Sequence, residues 1–71
     1  MWATDRQKLY LKYLLLKIKN KKEWAHYFII VNKKKFVPFN SNNVIWGGIL
    51  FEDAKMLIHA ILHNNYEIKK R

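Results

Sequence analysis

With 71 residues the chain is expected to form one small domain over 1–71, and a domain of this length buries only roughly 60% of the surface its unfolded form exposes, so its stability should be modest. An apolar fraction of 51% with 15% aromatics is more than a disordered tail carries, while the lack of cysteine excludes disulfides and thiolate metal sites and is compatible with a reducing compartment. The net charge of +9 is lopsided: residues 1–35 carry ten Lys and Arg against Asp5 and Glu23, residues 36–66 carry Lys55 against Glu52 and Asp53, and Glu67 is followed by Lys69, Lys70 and Arg71.

The first predicted element opens on Thr4-Asp5-Arg6-Gln7, a capping-box pattern in which the threonine hydroxyl and the glutamine side chain satisfy each other's backbone N–H groups, so a helix should begin at Asp5. Its apolar positions, Leu9, Tyr10, Leu11, Tyr13, Leu14, Leu15, Leu16 and Ile18, cover more than one stripe and leave Lys8, Lys12 and Lys19 on the wet side. So wide an apolar face calls for burial on two sides, against a sheet and against a further surface such as a second copy of the chain, which makes a homodimer through this helix one expected arrangement. The run 9–18 is interrupted by Lys12 and Lys17, is too short to span a bilayer and is followed by no small-residue cleavage site. No integral membrane association and a cytoplasmic address are expected.

The helix is expected to end in Lys19-Asn20-Lys21-Lys22, with lysines at the negative end of the helix dipole and Asn20 in a left-handed cap. Residues 24–31, Trp-Ala-His-Tyr-Phe-Ile-Ile-Val, read as a strand that is apolar on both faces towards its end, hence a central one. Residues 32–35 read as a hairpin loop with Asn32 in an unusual backbone conformation and lysines at the tip. A second strand is expected over 35–39, at a sheet edge or ended by Pro38, because proline cannot donate to a ladder. After the polar turn 40–43, residues 44–49 resemble a third strand, with Gly47-Gly48 implying a bulge or close backbone approach. A second helix follows, its face formed by Ala54, Leu57, Ile58, Ile61 and Leu62, with Glu52 and Asp53 at its positive end and Asn64-Asn65 as its stop. Residues 66–71 either add a short C-terminal strand or trail away as a flexible basic tail. The expected fold is α+β, in α-β-β-β-α order, with two helices on one face of an antiparallel sheet.

This order and the basic character resemble the double-stranded RNA-binding domain in topology, and Asp53-Ala54-Lys55 is similar to the alanine-lysine step that opens that family's second helix. The hairpin lacks the family's glycine-proline-histidine loop, and Glu52 and Asp53 stand where a lysine pair would contact phosphate, so the likeness stops at topology.

The leading functional expectation is a small nucleic-acid-binding protein that contacts the phosphate backbone with little sequence selectivity. Its candidate residues are Lys17, Lys19, Lys21 and Lys22 at the helix end, Lys33, Lys34 and Lys35 on the hairpin, and Lys69, Lys70 and Arg71 as an arm. Lysine is a hydrated point charge suited to phosphate rather than to base edges, which favours DNA or RNA backbone contact. Lys, Asn, Ile, Tyr and Phe also share A/T-rich codons, so lysines scattered over the surface are the bland alternative and their clustering is the discriminating feature. The runner-up is a regulator or inhibitor, of the accessory kind encoded by phages and mobile elements, that docks an acidic host protein through Phe39, Val44 and Trp46 in the uncharged segment. Vesicle binding by the Leu- and Lys-rich first helix ranks below both.

An enzyme is not expected. Ser41 is the single serine and has no neighbouring His-acid pattern, and Gly47-Gly48 lacks the ending of a phosphate loop. His59 and His63 have the i, i+4 spacing of a metal pair, but Ala60 stands where a zinc-peptidase helix needs glutamate, and two ligands are a weak signal. His26 reads as a residue at the edge of the core. No metal and no cofactor are expected.

Overall fold

The computed structural model describes residues 1–39 and 49–71. Its elements are α1 (Asp5–Ile18), a one-turn α2 (Lys21–Trp24), β1 (Tyr27–Val31), β2 (Lys34–Phe36), α3 (Phe51–Leu62) and β3 (Glu67–Lys70). The three strands form one antiparallel sheet in the order β2-β1-β3, so the fold is α+β with β1 in the centre. The third strand of that sheet follows the last helix in the chain; the strand expected at 44–49, with its glycine pair, falls almost wholly outside the described residues.

The start of α1 is the capping box: Gln7 N–H donates to Thr4 Oγ1 at 3.1 Å, and Thr4 N–H donates to Gln7 Oε1 at 3.0 Å. The helix ends differently from the expectation. Asn20 is extended rather than left-handed, and it caps α2, its Oδ1 accepting from Glu23 N–H at 2.8 Å while its Nδ2 donates to Glu23 Oε1 at 2.9 Å. Asparagine serves either role because its carbonyl oxygen mimics a helix carbonyl, and Glu23 three residues on selects the N-cap. The strand consequently begins at Tyr27 rather than at Trp24. Trp24 closes α2, fully buried, with its indole N–H donating to the Leu15 carbonyl at 2.9 Å. His26 moves with it: it lies in the turn before β1 and is exposed, not at the edge of the core.

β1 and β2 are joined by a two-residue turn in which Asn32 (φ 53°) and Lys33 (φ 64°) are both left-handed, the geometry that matches the twist of a hairpin. β2 stops at Phe36, shorter than expected, and Pro38 is buried just beyond it. At the other end of the fold, α3 closes in a paired cap. Asn64 (φ 55°) donates its N–H to Ile61 O at 3.3 Å, and Asn65 donates to Ala60 O at 2.8 Å. The chain then returns as β3, with Ile68 opposite Ile29 and Lys70 opposite Tyr27. Residues 67–70 are therefore a paired strand, and of the two expectations for 66–71 the strand is the one that forms.

Alternation along β1 separates the two faces of the sheet. Ile29 and Val31, with Phe36 of β2, are buried and join Leu11, Leu14 and Leu15 of α1 and Ala54, Leu57, Ala60 and Ile61 of α3 in one core. Leu62, expected on the core face of the last helix, is exposed. The first segment is tied to the start of α3, Ala3 N–H donating to Ile49 O and Phe51 N–H to Met1 O, each at 2.9 Å. Phe28 and Ile30 point away from the core and are half-buried.

Candidate nucleic-acid interface

Antiparallel pairing sets residues that face each other across two strands on the same side of the sheet. On the side away from the core, Phe28 therefore lies beside Lys69, and Ile30 lies between Lys35 and Glu67. The Lys35 Nζ reaches diagonally back over Phe28, 4.5 Å from the ring centroid. The result is a half-exposed aromatic ring with a lysine on each flanking strand. Glu67 is the acid on this face, and its carboxylate is 4.0 Å from Lys69 Nζ.

The remaining candidate cations distribute around the sheet rather than forming one cluster. Lys19 lies against Tyr27, its Nζ 4.3 Å from the ring centroid and 3.9 Å from Glu23, while Lys70 sits directly across the ladder from Tyr27. Lys21 and Lys22 are exposed on α2, and Lys17 rests its Nζ 5.2 Å from the Tyr13 ring on α1. All of these belong to the Tyr27 end of β1 or to the helix leading to it. Lys33 is exposed at the hairpin tip beyond Val31, at the other end of a strand whose five residues span about 13 Å. The concentrated surface expected from helix end plus hairpin is thus divided in two, and the turn places its lysines there because β1 carries the chain a full strand length from α2.

Besides the ion pairs of Lys19 and Lys69, two further candidate cations are held by hydrogen bonds. Lys34 Nζ donates to both carboxylate oxygens of Asp53, each at 2.9 Å, and so ties the hairpin to the first turn of α3. Asp53, read from the sequence as a complement to the helix dipole, holds a hairpin lysine as well. Arg71 is anchored, not a mobile arm. Its backbone N–H donates to His26 O at 2.8 Å, its Nε to Tyr27 O and its Nη2 to Trp24 O, both at 3.2 Å.

Phe28 is the site residue that sequence reasoning missed. Strict alternation along 27–31 places it opposite Ile29 and Val31, but a strand apolar on both faces hides which face is the core until the helices are placed. Of the alternative docking residues, Phe39 is half-buried and packs against the core, whereas Val44 and Trp46 lie outside the described residues, as does Ser41. His59 and His63 are exposed with ring centroids 4.3 Å apart, and no cluster of three metal-ligating side chains occurs among the described residues. An open groove of about 260 Å³ runs between Asn32, Lys55, Met56 and His59, at the lower limit of small-molecule pockets. Among the described residues no helix is long and apolar enough to cross a membrane. Comparison with protein-family models, with curated proteins and with solved structures yields no match to this chain.

Proposed function

We propose that this protein binds nucleic acid through the phosphate backbone, with little sequence selectivity, using the outward face of the sheet around Phe28. The observation that carries the reading is the half-exposed Phe28 ring between Lys35 and Lys69. An exposed lysine–aromatic contact is worth about 0.5–1 kcal/mol, whereas a hydrogen bond to a charged group contributes about 1.5–3 kcal/mol, so Lys35 exchanges the ring for a phosphate at a net gain. The uncovered ring then offers a surface on which a base can stack, an interaction open to any base because each has a π face. A duplex keeps its bases stacked inside, so the arrangement favours single strands. Lys69 continues the positive track on this face, while Lys19 and Lys70, which meet Tyr27, lie on the side of the sheet that carries the core and add only to the general positive field. A cytoplasmic address accords with this reading.

The test is fluorescence anisotropy of labelled single-stranded and duplex oligonucleotides of mixed sequence, titrated with the protein at low and moderate salt. Binding is expected to be tighter for the single strand, to weaken with salt, and to drop for Phe28→Ala and for the double variant Lys35→Ala, Lys69→Ala. Absence of binding at low salt, or binding that ignores all three substitutions, overturns the proposal.

A further inference from the structure

A second surface lies on α1, away from Phe28, and of the candidate phosphate-contacting cations Lys17 borders it. Leu11 and Leu15 are completely buried, yet Leu9, Tyr13 and Leu16, on the opposite side of the same helix, are 68%, 56% and 41% exposed. Their spacing of four and then three residues lays them along a single stripe. In heptad terms they occupy d, a and d, the seam positions of a coiled coil, with Tyr10, 42% exposed, beside them at e. α1 therefore has two seams, and the fold of the chain uses one of them.

The residues beside the open seam define what can cover it. Lys12 falls at g and Lys17 at e, both exposed, and Arg6 falls at the preceding a; the acid on this flank is Asp5, at the far g position. Pairing two copies in parallel sets g of one helix against the next e of the other, which brings Lys12 to Lys17 on both sides of the seam. Such a dimer would confront like charges at its rim, and each chain carries +9. A lipid surface is a poorer match than a helix, because interfacial helices sink a wide apolar face and here the wide face is committed to the core. An apolar seam with basic flanks that repels its own copy fits a helix with acidic flanks, since specificity in such pairs comes from repulsion of the wrong partner as much as attraction of the right one.

We infer that the exposed Leu9–Tyr13–Leu16 seam of α1 is a docking surface for an acidic amphipathic helix of another protein. The partner lays apolar side chains along Leu9, Tyr13 and Leu16 and places carboxylates at Lys12 and Lys17. The contact spans about 10 Å of helix, so it is small, and a partner segment this short folds as it docks or belongs to a protein already folded.

The test uses labelled synthetic peptides of roughly three heptads with Leu at a and d. One peptide carries Glu at e and g, its twin carries Lys there, and a scrambled peptide keeps the Glu composition without the heptad spacing. Fluorescence anisotropy with the full chain should show saturable binding of the Glu peptide alone. Leu9→Ser with Leu16→Ser should weaken that binding about tenfold or more, and Lys12→Glu with Lys17→Glu should transfer the preference to the Lys twin. All four positions are exposed, and unchanged circular dichroism confirms folding. Phe28→Ala should leave the peptide affinity intact, which separates this surface from the nucleic-acid site. Equal binding of the Glu and scrambled peptides, binding of neither heptad peptide, or self-association of the chain that the Leu9→Ser, Leu16→Ser variant abolishes would each overturn the inference. So would flotation with vesicles of phosphatidylserine and phosphatidylcholine that depends on the same two leucines.

Discussion

The indole N–H of Trp24 donates to the main-chain oxygen of Leu15 at 2.9 Å, with both residues completely buried, and this bond locks the one-turn α2 against the last turn of α1. The same oxygen also accepts from Lys19 N–H at 3.2 Å, so loss of the indole does not leave it unpaired. Trp24→Phe is expected to cost about 1–2 kcal/mol, one hydrogen bond plus a small change of shape. Trp24→Ala removes the largest buried side chain among the described residues and should cost about 3–5 kcal/mol, enough to unfold a domain of this size at room temperature. Urea denaturation followed by circular dichroism measures both; equal losses for the two variants would show that packing of the ring contributes nothing.

Lys33 sits at φ 64° in the two-residue hairpin turn, where a side chain bearing a β-carbon is strained. The preferred residue after Asn32 in such a turn is glycine. Lys33→Gly should raise stability by about 0.5–1 kcal/mol, the relief of strain exceeding the extra freedom of the unfolded chain. A fall in the denaturation midpoint would count against the left-handed turn.

The bidentate contact of Lys34 with Asp53 joins the hairpin to α3, but Lys34 is half-exposed and water screens the pair. Lys34→Ala should therefore cost no more than about 1 kcal/mol, while Asp53→Ala costs somewhat more because it also removes a negative charge from the first turn of a helix. High salt should shrink both effects. If 0.5 M salt leaves the two penalties unchanged, the pair acts through packing rather than charge.

If the protein binds nucleic acid as proposed, salt dependence separates the cations that meet phosphate from those that do not. For a single strand the logarithmic slope is about −0.7 per phosphate neutralised. Lys35→Ala and Lys69→Ala should each lower the slope by about that much, whereas Lys34→Ala, whose ammonium is held by Asp53, should leave it nearly unchanged. Titrations at several salt concentrations decide this, and a uniform decrease for all three would mean that overall charge, not placement, governs binding.

Arg71 joins the end of β3 to the start of β1 and the end of α2, its Nε and Nη2 donating to the carbonyl oxygens of Tyr27 and Trp24. Arg71→Ala should cost about 1 kcal/mol in view of its exposure and speed amide exchange in β3 more than in α3. Uniform protection across both elements would contradict an edge fastened by its last residue.

The local signals were strong enough to be read directly. Thr4 and Gln7 form their capping box, Asn32 adopts a left-handed turn, and Asn64 ends the last helix, because each depends on side-chain chemistry within four residues. The assignment of Asn20 and Trp24 was not legible in the same way. Asn20 can cap either helix, and only burial of the Trp24 indole against Leu15 draws those residues into a helical turn instead of a strand.

The amino-acid sequence by itself determined the α+β class, the start of α1, the stop of α3 and the excess of positive charge, all consequences of local conformational preference and of composition. The tertiary structure decided which of several apolar faces became the core. β1 is apolar on both sides and α1 nearly all round, so burial of Ile29 and Leu11 and exposure of Phe28 and Leu9 follow from long-range packing alone. That choice leaves an aromatic ring between lysines on the sheet and a seam between lysines on α1, two surfaces that periodicity cannot tell from core.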